Sequence, residues 1–93
     1  MRVISNKTLK NFSAIHRDAD GALQAWRKSI ESRAFLNFAD LKLTFHATDK
    51  VGDYYIFNVG GNKYRIVTSI HFNSQQLFIR HVFTHKDYNK WKP

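Results

Sequence analysis

Tyr54-Tyr55-Ile56-Phe57-Asn58-Val59-Gly60-Gly61-Asn62-Lys63-Tyr64-Arg65-Ile66 is the stretch from which the fold is read. Aromatic and β-branched residues fill Tyr54 to Val59, the composition of a strand, and Gly60-Gly61-Asn62 supplies residues that tolerate the positive φ of a tight turn. The arm that leaves the turn, Lys63 to Phe72, alternates. Tyr64, Ile66, Thr68, Ile70 and Phe72 face one way, and Lys63, Arg65, Val67, Ser69 and His71 the other, so one face is buried and one is mostly polar. Asn73-Ser74-Gln75-Gln76 is a polar turn. Leu77 to Phe83 then reads as a further strand, with Phe78, Arg80 and Val82 opposing Leu77, Ile79, His81 and Phe83. The expectation is a three-stranded meander.

On the N-terminal side, Met1 to Ile4 reads as a short first strand, and Ser5-Asn6 suits a helix cap. Leu9, Phe12 and Ile15 recur every three residues across Lys7 to His16, the stripe of an amphipathic helix. Asp18 and Asp20, within Arg17 to Gly21, suit the start of a second helix, whose stripe is Ala22, Leu23, Trp26 and Ile30 and which ends near Arg33. The short connection predicts an antiparallel helix pair, with the sheet covering both stripes. Between Phe35 and Asp53, Ala39, Leu41, Leu43 and Phe45 are too irregular to choose between helix and strand. A loop containing a short helix, ended by Gly52-Asp53, is expected there. Past the last strand, Thr84 suits the cap of a final helical turn in which His85 and Tyr88, three residues apart, share a face.

The chain is therefore expected to be α+β, one domain over residues 1–93. Its 43% hydrophobic content, with eight Phe, four Tyr and two Trp, is enough for one core. Fifteen Lys and Arg against seven Asp and Glu give a formal net charge of +8, which points to a polyanionic partner. The absence of cysteine removes disulfides and thiolate metal sites and fits a reducing cytoplasm. Met1 to Lys10 lacks the apolar run of a signal peptide, and no other run is long enough to span a membrane, so a cytoplasmic location is expected.

Chemistry concentrates at the C-terminal end. Alternation would bring Lys63 and Arg65 to one face with Arg80 from the next strand, a cationic surface for phosphate. Lys86, Lys90 and Lys92 extend it, with Tyr88 and Trp91 as interleaved stacking rings, a pattern that favours RNA. RNA cleavage needs no metal, because the 2′-hydroxyl is an internal nucleophile. It requires a base, a cation for the phosphorane charge and an acid for the leaving 5′-oxygen. His85 is the candidate acid or base, Arg65 and Arg80 the charge stabilisers, and Tyr88 or Lys63 the proton donor or orienting group. The carboxylates are scattered, no His pair has ligand spacing, and Gly60-Gly61 joins two strands, so neither a metal nor a nucleotide cofactor is expected. Plainer readings stay open: Arg80 paired with a carboxylate, Lys63 and Arg65 as a solvated face, Trp91 capping the core, His85 structural. A non-catalytic RNA- or DNA-binding module, or an anchor for an acidic protein, would use the same surface.

The segment Phe57 to Ile66, then Ile79-Arg80, then Thr84-His85-Lys86-Asp87-Tyr88 resembles the signature of HigB-type toxins in the RelE superfamily. Met1-Arg2-Val3-Ile4-Ser5 and Asp40-Leu41-Lys42 are similar too, so the resemblance runs in order along nearly the whole chain. It implies a RelE-like fold, with two N-terminal helices on a mainly antiparallel sheet. It also implies an mRNA interferase that cuts mRNA on translating ribosomes and halts translation. The implied partner is a HigA-type helix-turn-helix antitoxin, through which the pair would bind operator DNA. Lys63, Arg65, Arg80, His85 and Tyr88 occupy the matching motif positions. Asp87 stands where Glu is more usual, and Asn58 and Asn62 are expected to shape the hairpin.

Overall fold

The computed structural model describes residues 1–93. Its elements follow in the order β1 (Arg2–Ile4), α1 (Asn6–Ile15), a 3₁₀ turn (Arg17–Ala19), α2 (Asp20–Glu31), α3 (Phe38–Thr44), β2 (Asp49–Val51), β3 (Tyr54–Val59), β4 (Tyr64–His71), β5 (Gln76–Thr84) and α4 (His85–Lys90). The strands form one mixed sheet in the order β1-β5-β4-β3-β2. β1 runs parallel to β5, and every other pairing is antiparallel. The expected α+β architecture is present, and the meander gains a strand at each side: β1 beside β5, and β2, which was not anticipated, beside β3.

The amphipathic stripes bury as their spacing requires. Leu9 of α1 and Leu23, Trp26 and Ile30 of α2 meet Phe57, Ile66, Leu77 and Ile79 of the sheet in one cluster, closed by Phe35 and Leu41. Trp26 and Phe45 each meet Phe57 edge-on, at 5.2 and 5.4 Å between ring centroids, the geometry that aromatic quadrupoles favour. Each such side chain contributes roughly 1.5–3 kcal/mol on full burial. The short helix expected within Phe35 to Asp53 is α3. Asn37 caps it by accepting from the Asp40 N–H at 2.9 Å, and Arg33 clamps both Asp40 oxygens at 3.0 Å.

The helix starts differ from expectation. Ser5 is left-handed, at φ 79°, and makes no side-chain cap. No side chain caps α2 either, because Asp18 instead accepts the Tyr64 hydroxyl at 2.7 Å and ties the 3₁₀ turn to the hairpin. The hairpin turn strings together three positive φ values, 64° at Gly60, 61° at Gly61 and 77° at Asn62, which Gly and Asn alone adopt cheaply. This turn extends to Lys63, so β4 begins at Tyr64.

β5 departs from simple alternation. Val67 opposes His81 and Thr68 opposes Ile79, leaving Arg80 as the extra residue of a β-bulge. Arg80 and His81 consequently both lie on the sheet face away from the helices: Arg80 contacts Ser69 and Phe78, and His81 stacks on Phe83. Val82 rotates to the helix side and packs against the core. That second face is also less polar than alternation alone predicts, since Ile56 and Val67 are 1% and 0% exposed yet lie outside the main cluster.

Candidate phosphate and proton-transfer site

Arg65, at the start of β4, is only 7% exposed. Its Nη1 donates to the carbonyls of Asn62, at 3.0 Å, and Tyr64, at 3.2 Å, while Nη2 donates to the Asn62 side-chain oxygen at 2.8 Å and lies 2.9 Å from His85 Nδ1. The chain's ion pairs, Arg27–Glu31 and Arg33–Asp40, lie elsewhere. The buried guanidinium therefore meets neutral acceptors only, an expensive arrangement unless an anion completes it. Its Nε–H has no protein acceptor.

His85 reaches this position because Thr84 caps α4, its hydroxyl accepting the Asp87 N–H at 3.1 Å, and because the His85 N–H donates to the Lys63 carbonyl at 2.9 Å. An arginine cannot accept, so the 2.9 Å contact makes Nδ1 the acceptor and leaves the proton of the neutral ring on Nε2. Nδ1 also lies 3.3 Å from the Asn62 carbonyl, a partner for it once the ring is protonated. Tyr88, one turn along α4, sets its ring 5.7 Å from the Arg65 guanidinium carbon. The shared face expected for His85 and Tyr88 is thus the face they turn to Arg65.

The other candidates separate from this cluster. Lys63 is exposed in the turn before β4, and its charge is a minor cause among those that lower the Asp18 pKa. The Tyr64 hydrogen bond is the larger cause of that shift, and the same bond raises the Tyr64 pKa. The common face expected for Lys63 and Arg65 is accordingly absent, because a turn residue does not share the strand's alternation. Arg80 donates from Nε to Ser69 Oγ at 3.1 Å, pairs with no carboxylate and lies over Phe78 at 5.1 Å. Ser69 is four residues beyond Arg65, roughly 13 Å along the strand, which places Arg80 away from the His85 cluster. Lys86, Lys90 and Lys92 are exposed around α4 and its tail. Trp91 is half-buried among Tyr54, His81, Phe83 and Tyr88, with centroids 5.5 to 6.0 Å away, so its ring roofs the second face rather than standing free. Asn62 is the residue whose importance the sequence understated. It shapes the hairpin as expected, and it also supplies two of the acceptors that hold Arg65.

The family model for HigB toxin, the RelE-like toxic component of a toxin–antitoxin system, matches residues 19–91. The chain belongs to the HigB toxin family. Relatives include the mRNA interferase toxin HigB of Escherichia coli strain K12, 35% identical over 92 residues that make up 96% of this chain and 88% of the relative. The mRNA interferase HigB of Shigella flexneri matches to the same extent. A more distant relative, the mRNA interferase HigB of Escherichia coli O6:H1 strain CFT073, is 24% identical over 97% of this chain and 90% of its own length. In this HigB-family chain the matched span takes in Asn62, Arg65, His85 and Tyr88.

Proposed function

We infer that this chain is an endoribonuclease, the mRNA-cleaving toxin of a toxin–antitoxin pair, folded as a single RelE-like domain, and that Arg65, His85 and Tyr88 carry its chemistry. The observation that supports the site is the buried Arg65 guanidinium, free of any carboxylate and hydrogen-bonded to an imidazole. A phosphodiester is the anion that needs both. In the proposed reaction the 2′-oxygen attacks the adjacent phosphorus, so that a P–O2′ bond forms and the P–O5′ bond breaks. The 2′-hydroxyl proton is lost to solvent water and a proton reaches the 5′-oxygen. Arg65 offers its free Nε–H to the non-bridging oxygens as charge builds. His85 acts as the imidazolium, with Nδ1–H directed at the Asn62 carbonyl, and hands its Nε2 proton to the leaving 5′-oxygen, which leaves the ring neutral. Tyr88 lies across the guanidinium and orients the strand, and Lys86, Lys90 and Lys92 attract the flanking phosphates.

This chemistry uses no metal, and its products are a 2′,3′-cyclic phosphate and a 5′-hydroxyl. A metal-activated water leaves different ends, so end-group analysis of the cleaved RNA decides the point. The substrate is mRNA on translating ribosomes in the cytoplasm. The neutralising partner is a HigA-type helix-turn-helix antitoxin, through which the complex reaches operator DNA. In a translating extract, the wild-type chain is expected to cut mRNA, with Arg65→Ala and His85→Ala each at least about 100-fold slower. Variants that bind ribosomes and cut as the wild type does would overturn the assignment of the site. A wild type that binds RNA without cutting would make the chain a non-catalytic binding module.

A further inference from the structure

The sheet face that carries Arg65 holds a second feature that the cleavage chemistry leaves unused. A groove of about 650 Å³ opens between the β2–β3 turn and the bulge of β5, lined by Gly52, Asp53, Tyr54, Ser69, Arg80 and Pro93. Asp53, Ser69 and Arg80 also line an adjoining hollow of about 350 Å³ that reaches Lys50 and His71. Asp53 and Arg80 face the same space yet form no ion pair, since the ion pairs of the chain involve Arg27 and Arg33. One wall therefore offers a carboxylate acceptor and the other a guanidinium donor, with a tyrosine ring and a serine hydroxyl between them.

A phosphodiester carries no hydrogen-bond donor and would leave the Asp53 carboxylate of this groove without a partner. A neutral, planar ligand with a donor edge and an acceptor edge suits it well, and the volume lies in the range of small-molecule pockets. Nucleobases are such ligands, and single-stranded RNA presents them unstacked, for stacking on aromatic rings and hydrogen bonding at their edges. Guanine matches both walls at once: its N1–H and N2 amino group donate to a carboxylate, and O6 and N7 accept from a guanidinium. Uracil lacks the amino donor.

The groove is also joined to the proposed cleavage site. Tyr88, which lies against Arg65, meets Trp91 at 6.0 Å; Trp91 meets Tyr54 at 5.5 Å; and Tyr54 and Pro93 are groove walls. An RNA strand held at Arg65 and passing over the Trp91 roof would deliver a base a short distance from the cut.

We propose that the Asp53–Arg80 groove is a base-recognition subsite that takes one guanine of the substrate strand and so sets which sequences are cut. Its role in cleavage rests on the nuclease reading above, but its ligand preference does not. The test is accordingly a titration of the purified chain with guanosine and uridine monophosphates, followed at the backbone amide resonances of Gly52, Asp53 and Ser69. The guanosine nucleotide is expected to shift these amides at concentrations about tenfold below those needed for the uridine nucleotide. Asp53→Asn should erase that preference, whereas Arg65→Ala should leave it intact. Equal responses to the two nucleotides, or a preference that survives Asp53→Asn, would overturn the proposal. Asp53 is exposed in a turn, so its substitution does not threaten the core, and the dispersion of the same spectra reports folding. Failure of the nuclease reading would show separately, as unchanged cleavage by Arg65→Ala and His85→Ala.

Discussion

Arg65 shows how a side chain can be held rigidly without being neutralised. Both terminal nitrogens are committed to acceptors that belong to the hairpin turn, its flanking carbonyl and His85, so the fold itself sets the guanidinium plane. Lysine keeps the charge and loses the fork. Arg65→Lys is therefore expected to retain most RNA affinity while cleavage falls about 100-fold, as single-turnover rates measured beside binding isotherms would reveal. The Asp18–Tyr64 hydrogen bond makes a separate prediction. The Asp18 pKa is lowered chiefly by that bond, so its stabilisation is present above the carboxyl's unfolded pKa and lost as pH falls through the lower folded value. The raised Tyr64 pKa acts in the opposite sense: its contribution is complete below the phenol's unfolded pKa and is lost as pH rises through the folded one. Tyr64→Phe should lower Tm by a few degrees at neutral pH and flatten the dependence of Tm on pH at both the acid and the alkaline ends. At this scale Arg65, His85 and Tyr88 were legible, because chemistry and helical spacing single them out. The service of Asn62 to Arg65 was not, because it depends on a backbone at φ 77° that returns the side chain toward the strand.

Among the elements, α4 is the least secure. It spans six residues and buries none of them, so the Thr84 cap carries much of the work of holding His85 in register. Thr84→Ala is expected to cost about 1 kcal/mol by chemical denaturation and to reduce cleavage more than RNA binding, whereas Thr84→Ser should restore both. The meander, the helices of the core and this capped turn could be read from periodicity and turn chemistry. β2 could not, because three residues, Asp49-Lys50-Val51, carry no alternation and acquire strand character only by pairing with Tyr54 to Ile56. The bulge escaped for a related reason. Alternation along β5 is a local property, while the insertion of Arg80 is defined only against β4, and it is this insertion that moves Arg80 out of the proposed reacting centre.

For the molecule as a whole, a net charge of +8 means that RNA affinity should fall steeply with salt. Each phosphate contact contributes a slope of about 0.7 in log affinity against log salt for a single strand. A combined Lys86→Ala, Lys90→Ala and Lys92→Ala variant is expected to flatten that slope by about two, as measured by fluorescence anisotropy over a salt series. The expected cationic surface survives at this scale, though divided between Arg65, the α4 lysines and Arg80. The parallel pairing of β1 with β5 joins Arg2, Val3 and Ile4 to Gln76, Leu77 and Phe78, so β1 waits for β5 to be made before the sheet closes. Such pairing across most of the chain is slow to form and late to reward. The hairpin, bulge and α4 residues proposed to hold and cut RNA all belong to the final third of the polypeptide. On the proposed assignment a nascent copy stays inert until α4 has been made, and the cell has that interval in which to set a partner beside it.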